Sequence, residues 1–580
     1  MHKVHQGKLR SEIKECEPQG MKDSIVTIDL TSGKVTREAY TEIPGGRVLS
    51  SKLLYERLDP SVHPLDEDNI MVIAPGSLAG TTAPNCNRMS IGSKSPLTGG
   101  IKESNIGGRI PEILAKQGIR ALVLEGRAER PSLVRITNDE ISVEEAEDLW
   151  TTTNYELYPE LYKKFGAKIG VLAIGVAGEE KMLSASISGN DLEGNPSRHA
   201  GRGGLGAVMG SKNLKAIVVD GNNLKMREPH DPTSFRKESV ELSKRILKSS
   251  EVFTKYGNLF LVGFIGKLGG LPINNYRPLS RPESINLSGE NVSELLKLRG
   301  GTMGHRCSTG CIVRCSNVVH DRDGNYLTSG FEYESSVMLG TNLGLFELDE
   351  VAPMERFCDD FGLDTIEVGA ALATITEAGL AEFGDPVSYN KLLEEIKNLT
   401  PLGRLLGAGA AVTGKAFGVS RVATAKNQSL AAYDPRALKG TGVTYATSPM
   451  GGDHTAGNCL PGSSKVDVFA KDGQVEESLR TQTIVTSIDM VACIYIGKSD
   501  ENIRSLARML SSFYNKEFSE KDFLEFGKET LRIEYLFNVA AGISPGSNDL
   551  PGFFRKELGL KGHTFDIDRE ELENIFERKP

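Results

Sequence analysis

The chain has 580 residues, 39% hydrophobic and 25% charged, an ordinary globular balance but too long for one core, so about two to four domains are expected. A formal net charge of −9 with no basic stripe excludes a nucleic-acid partner, and no apolar run reaches the roughly 20 residues that cross a bilayer. Residues 1–20 lack the apolar stretch of a secretory signal and are expected to form a polar tail, with Met21 opening the folded unit. Eight cysteines without a dense framework fit a reducing compartment, so the cytoplasm is the expected location.

From the N-terminus, SIVTIDL, NIMVIAP, ALVLEG, SLVRIT, IGVLAIG and AIVVD are short β-branched runs bounded by turn-forming residues, and they predict strands. From DPTSFRKESVELSKRILKSS (231–250) onward, apolar residues recur at three and four, which predicts amphipathic helices. In VAPMERFCDDFG, Pro353 is placed for a first helical turn; in the next segment Asp364 is placed as an N-cap. ENIRSLARMLSSFY and LRIEYLFNVAAG predict further helices in the last third. The pattern is α+β: a β-rich domain over residues 21–221, a helical domain over 222–430, and a mainly helical domain over 431–580.

The most specific chemistry lies in HRCSTGCIVRCSN, where Cys307, Cys311 and Cys315 fall within nine residues, with Cys493 remote. Such a set suits a cubane iron–sulfur cluster, ligated by one local loop and one distant segment. A regular helix would put the outer two thiols roughly 12 Å apart, too far for one cluster. The segment must therefore fold back, and Gly310 is free to take the positive φ this needs. The expected activity is electron transfer.

Two glycine-rich loops carry cations. SRHAGRGGLGAVMGSKNLKAI (197–217) sets Gly201, Gly203 and Gly206 in a G-x-G-x-x-G spacing beside Arg198, Arg202, Lys212 and Lys215. Its polar, loop-like approach argues against a dinucleotide fingerprint, which needs a strand there. Bare backbone N–H groups and guanidinium forks nevertheless suit phosphate, against the plainer reading of a tight turn with solvated charges. NCNRMSIGSKSPLTGGIKESNIGGR (85–109) has turn chemistry and offers Arg88, Asn105 and Gly107; two such loops point to a polyanionic cofactor. FEYESS places Glu332 and Glu334 on one face of an expected strand and Phe331 and Tyr333 on the other, a setting for a general base or a solvated edge. GGDHTAGN presents His454 in a turn-prone loop, where exposed catalytic histidines sit, although most lone histidines are not catalytic. Cys16, Cys86, Cys358 and Cys459 have no partner spacing and are expected to be free thiols, Cys358 in a core.

Taken together, TIDLTSGKV, PGSLAGTTAPNCNRMSIGSKSPLTG, SRHAGRGGLGAVMGSKNLKAI, FEYESSVMLGTNLG, CDDFGLDTI, AAYDPRALKGTGVTYAT, GGDH and IDMVAC resemble the tungsten-containing aldehyde:ferredoxin oxidoreductase family, over about residues 22–565. The resemblance implies a tungsten or molybdenum held by two pterins at the domain interface, and one 4Fe–4S cluster on Cys307, Cys311, Cys315 and Cys493. By the same resemblance Arg88, Asn105 and Gly107, then Arg198, His199, Gly201 and Arg202, match pterin-contacting blocks, with Asn105 and His199 offering carbonyls to a magnesium that bridges the pterin phosphates. Asp359 and Asp364 match acids that bond the second pterin, and Cys493 with Ile494 matches the segment joining cluster to pterin. Glu334 falls on the catalytic carboxylate beside Tyr333, and His454 on the active-site histidine.

Two departures stand out. The first two cluster cysteines are separated by three residues, where the best-known members have two. The Glu-x-x-His pair that binds a dimer-bridging iron in some members is replaced by Pro353 and Arg356, so any homodimer is expected to lack that iron. The expected function is aldehyde oxidation to a carboxylic acid, with electrons passing to ferredoxin or a dedicated iron–sulfur subunit. The alternatives are a reductive subunit of the same superfamily acting on aromatic thioesters, a radical S-adenosylmethionine enzyme, whose cysteines are spaced three then two, and a structural zinc site.

Overall fold

The computed structural model describes residues 23–577; the expected polar tail, Met21 and Cys16 lie outside the described residues. All six β-branched runs are strands, and they divide between two six-stranded sheets. The first holds β1 (Ser24–Asp29), β2 (Lys34–Ala39), β3 (Met71–Pro75), β4 (Met89–Lys94), β5 (Ile101–Ile106) and β6 (Ile119–Glu125), in the order β2-β1-β6-β3-β4-β5. The second holds β7 (Ser132–Ile136), β8 (Ile141–Glu145), β9 (Ile169–Ala173), β10 (Ile187–Gly189), β11 (Arg198–Ala200) and β12 (Leu214–Asp220), in the order β11-β10-β9-β12-β7-β8. Pairing is antiparallel except for β1 with β6 and β7 with β12.

Strand alternation explains the layering. Val26, Ile28, Ile73, Leu122 and Leu124 of the first sheet meet Val134, Leu172, Ile217 and Val219 of the second in one shared core. The opposite faces are covered too: Ile25, Val72, Ala121 and Val123 pack on Leu49, Leu53 and Leu54 of helix α1 (Gly46–Arg57). With both faces covered, the central strands carry near-continuous apolar runs, which is why they were legible. The edge strands β5 and β11 pack against each other, and this brings the two cation-bearing loops together.

The segment 85–109, expected to be a loop, is instead the β4–β5 hairpin, in register from Met89↔Ile106 to Lys94↔Ile101. Its strands hide because they bury Ser90, Ser93, Lys94, Lys102 and Glu103, polar residues that face partners elsewhere in the chain. In the 197–217 loop, β11 precedes the glycines and a helix over Leu205–Ser211 follows, but β11 pairs antiparallel with β10, not as the parallel crossover of a dinucleotide fold.

The remainder is mainly helical apart from a small sheet of β13 (Thr302–His305), β14 (Ser316–His320) and β15 (Tyr326–Ser329). Helix α2 (Pro232–Ser249) starts as its sequence predicts, with the Asp231 carboxylate accepting from Thr233 and Ser234 N–H and Pro232 in the first turn. FEYESS is not a strand. It enters helix α3 (Tyr333–Met338) after the left-handed Gly330, the Asn258 side chain capping Tyr333 N–H at 3.0 Å. Pro353 is likewise not in a first turn: helix α4 (Leu348–Phe361) begins five residues earlier and accommodates it inside. Asp364 caps helix α5 (Thr365–Glu377) as expected, accepting from Ile366 N–H at 2.9 Å. The C-terminal helices are α6 (Lys439–Thr447), α7 (Gln474–Asp489), α8 (Asp500–Tyr514) and α9 (Glu520–Ala540). Among the described residues no helix is long and apolar enough to cross a membrane.

A buried ion pair ties the ends of the chain together. Arg47 on α1 donates to both oxygens of Glu534 on α9, at 3.0 and 2.8 Å, and Ser51 adds a third bond at 2.7 Å. Removing Glu534 strips the buried Arg47 of its two-pronged partner and leaves Asp489, 3.7 Å from Nη1, as the remaining ion pair. Glu534→Ala is expected to cost about 3–5 kcal/mol in urea unfolding, and a loss below about 1 kcal/mol would show that water reaches Arg47.

Candidate active site

The cysteine segment folds back as its spacing requires, with Gly310 at φ +75° and Arg314 also left-handed. Asn85, at φ +59°, clamps the remote thiol to the local ones. Its carbonyl accepts from Cys493 N–H and its own N–H donates to the Gly310 carbonyl, both at 3.0 Å. Its side chain accepts from Ile312 N–H at 3.1 Å and donates to Cys311 Sγ at 3.7 Å. Cys307, Cys311 and Cys315 are buried in the same apolar cluster as Ala492 and Ile494. Among the described residues no three His, Cys, Asp or Glu side chains are grouped to hold a single metal ion.

Arg88 joins this loop to the first sheet. Its Nε donates to Asn105 Oδ1 at 2.7 Å, while Nη1 lies 3.7 Å from Cys307 Sγ. Burial alone would lower its pKa, but Cys493, Cys307 and Cys315 raise it, so it stays charged. Gly107 is needed here because a Cβ would come within 2.9 Å of Arg88 Nη1 and 3.4 Å of Cys307 Sγ. Arg198 bonds Ser316 Oγ at 2.8 Å and faces Glu332 at 3.7 Å. Burial pushes the Glu332 carboxyl up to about 7 against the pull of Arg198.

A second group of residues surrounds Glu334. Its Oε2 accepts from Ala432 N–H at 2.9 Å and its Oε1 lies 3.4 Å from His454 Nε2. The Tyr333 hydroxyl donates to the Ala432 carbonyl at 2.6 Å. The rings of Tyr333, Tyr433 and His454 follow one another at 5.3 and 6.2 Å, forming an aromatic wall beside the carboxylate. Tyr495, two residues after Cys493, lies within electrostatic reach of both Glu334 and Cys315. Helix geometry separates the two acids expected to share a face: Glu332 faces Arg198 and Asn258, and Glu334 faces His454.

Arg202 is committed to protein acceptors: Ser429 O at 2.6 Å, Gly452 O at 2.9 Å and Asp364 Oδ2 at 3.3 Å. Burial pushes the Asp364 carboxyl up, against Arg202. The His199 ring bonds Ser186 Oγ at 2.9 Å and lies 3.1 Å from Asp359 Oδ1, so the two acids have different partners. At Gly201 an added Cβ would meet nothing nearer than the His199 Cβ at 4.0 Å.

Several residues escaped the sequence reading although they stand inside the quoted blocks. Asp453 pairs with Lys102 and lies 3.7 Å from Arg202; burial would raise its carboxyl, but these cations hold it well below the usual range. Tyr445 is fully buried with a hydroxyl that has no protein partner, within electrostatic reach of Glu334 and Arg202. Asp489, one helical turn before Cys493, lies 3.7 Å from Arg47 Nη1. The signal for Asp453 was its place immediately before His454 in GGDH.

Two family models match the chain: the aldehyde ferredoxin oxidoreductase N-terminal domain over residues 25–221, and domains 2 and 3 of that family over 237–577. The tungsten-containing aldehyde ferredoxin oxidoreductase of Pyrococcus furiosus is 32% identical over 579 residues, 93% of each chain. The WOR-like subunit of an aliphatic sulfonate oxidoreductase from the same organism is 28% identical over 486 residues, 75% of each. The fold matches a chain of the active-site complex BamBC of benzoyl coenzyme A reductase with 1,5-dienoyl-CoA, at a TM-score of 0.80 and 19% identity, covering 96% of this chain and 93% of that one.

Groups that orient ligating residues typically change metal affinity about 10–100-fold when removed. With the iron–sulfur cluster expected from the sequence bound at these thiols, Arg88→Met is therefore expected to weaken iron retention under chelator challenge by about that factor with the far-ultraviolet spectrum unchanged. Wild-type retention would show that the cation does not support the thiol loop.

Proposed function

The chain belongs to the aldehyde ferredoxin oxidoreductase family, and from that premise we propose that it oxidises an aldehyde to the carboxylic acid and passes the electrons on one at a time. The observation that carries this reading is the Glu334–His454 pair, 3.4 Å apart against an aromatic wall formed with Tyr333 and Tyr433.

The residues fit the cofactors the family implies. Arg198, Arg202 and Lys102 are buried cations and Arg88 is a half-buried one, and the Tyr445 hydroxyl without a hydrogen-bond partner and the room beside Gly201 suit a bound polyanionic group. Arg88 and Asn105 on one side, and Arg198, His199 and Gly201 on the other, would hold the two pterins, with Asp359, Asp364 and Ile494 at the second. The carbonyls of Asn105 and His199 are the proposed magnesium ligands. Tungsten (or molybdenum) bound there supplies the two-electron acceptor, and a 4Fe–4S cluster on Cys307, Cys311, Cys315 and Cys493 carries electrons outward.

The chain's own part is proton handling and orientation. In this reading His454 Nε2 hydrogen-bonds the aldehyde oxygen and Glu334, 3.4 Å from it, takes a proton from the incoming water. Ala432 N–H fixes the carboxylate, and Tyr333 fixes the Ala432 carbonyl in turn, so the base is held by backbone. The proposed partner is a ferredoxin or a dedicated iron–sulfur subunit, and the proposed compartment is the cytoplasm.

An anaerobic panel of aldehydes, a benzoyl thioester and an aliphatic sulfonate, with viologen dye as the electron carrier, tests the reaction. Aldehyde-dependent dye reduction is expected, and turnover of the thioester or sulfonate alone would overturn the reading. Glu334→Gln is expected to lower kcat by about 10²–10⁴ with bound metal unchanged, as for loss of a general base. Full turnover in that variant would remove Glu334 from the role.

A further inference from the structure

Helix α7 is buried along almost its entire length, yet Gln474, Ser478, Gln482 and Thr486 recur every four residues and share one face. That face meets threonines of α6. Thr444 Oγ1 and Ser478 Oγ are 2.7 Å apart, and Gln482 Nε2 donates to Thr447 Oγ1 and Ser478 Oγ, both at 3.1 Å. The seam has more acceptors than the protein supplies donors. Gln474 Oε1, Gln482 Oε1 and Thr486 Oγ1 are all buried without a hydrogen-bond partner. Each such atom is destabilising if left bare, so apolar side chains would have filled the seam more stably. A row of these atoms in a polar seam is what ordered water satisfies.

The seam runs past the candidate active site. The turn His454–Ala456 packs on both α6 and α7, and a Cβ on Gly457 would lie 3.2 Å from Gln482 N and Thr481 Cγ2. His454 Nδ1, which lies 3.6 Å from Asp453 Oδ1, and Asn458 Oδ1, on the same turn and its exit, also make no hydrogen bond within the protein. From Gln482 the stripe leads outward through Ser478 to Gln474, which directly follows the exposed residues Lys471, Asp472 and Gly473. The distance covered is about 12 Å at the helical rise.

We propose that the seam between α6 and α7 is a hydrated proton path connecting His454 with the surface beside Gln474. The inference rests on the aldehyde reading. In R–CHO + H₂O → R–COOH + 2 H⁺ + 2 e⁻ a C–H bond breaks and a C–O bond forms. The two electrons leave singly to an iron–sulfur acceptor by way of the cysteine loop. The two protons must reach solvent separately, and the seam provides a chain of hydroxyl and amide groups with water between them. Gln482 acts here as a positioning residue, holding the water that relays protons from His454.

The test uses the metal-loaded enzyme carrying Gln482→Leu and Thr486→Val together, changes that keep side-chain volume nearly constant. The expected result is a fall in kcat of at least about tenfold, with a larger solvent deuterium isotope effect and an unchanged KM for aldehyde. Metal content and the cluster's paramagnetic resonance spectrum are expected to stay as in the wild type. An unchanged kcat and isotope effect overturns the proposal, and so does a fall in kcat and thermal stability with the isotope effect unmoved. If the variant does not fold, or the wild type oxidises no aldehyde, a wild-type crystal structure decides. Ordered waters bonded to Gln482, Thr486 and Asn458 support the path, and a dry seam overturns it independently of the substrate.

Discussion

Much of this architecture depends on burying a cation beside thiols. A guanidinium taken out of water is tolerable only where anions and acceptors surround it. Arg88 meets that condition through Asn105 on one side and the cysteine loop on the other. Asn85, three residues earlier, makes the matching connection with backbone and amide groups, fixing Cys493 against the Gly310 turn. Neither interaction is local. Each needs β4 in place, the loop folded back and the end of α7 docked, so the site forms only when all parts of the chain do.

The same logic governs the carboxylates. Asp453 and Asp364 each sit against a buried lysine or arginine, whereas Asp359 faces the half-buried His199 and Glu334 faces His454. In the proposed mechanism Glu334 and His454, held beside compensated charges, exchange protons with the substrate without unbalancing the interior. Electrons and protons then have separate exits in the proposed mechanism, the cysteine loop on one side and the α6–α7 seam on the other. This separation suits a reaction that releases both.

The elements whose chemistry agrees with their position were legible. SIVTIDL and AIVVD bury apolar side chains on both faces, and Asp231 and Asp364 cap the helices they precede. The errors fall where buried polar residues break the pattern. MSIGSK and IKESNI lack apolar alternation because Lys102 turns inward to Asp453, so a hairpin looked like a loop. FEYESS has strand composition, but Asn258, more than seventy residues away, caps it as a helix. Both are cases of tertiary hydrogen bonding overriding local propensity.

By itself, the sequence determined which residue types were available: three clustered thiols and one distant, two glycine-rich cation-bearing segments, and a carboxylate and a histidine in separate blocks. It also determined the family, since many ordered blocks are harder to match by chance than any one motif. Only the tertiary structure decided that Glu334 and His454 lie 3.4 Å apart while Glu332 turns away to Arg198. It alone revealed Asn85 as the clamp between two cysteine segments and the polar stripe of α7 as a continuous seam. The reason is physical. Composition and periodicity report how a residue relates to its own element, whereas distances across elements depend on packing that no local window contains.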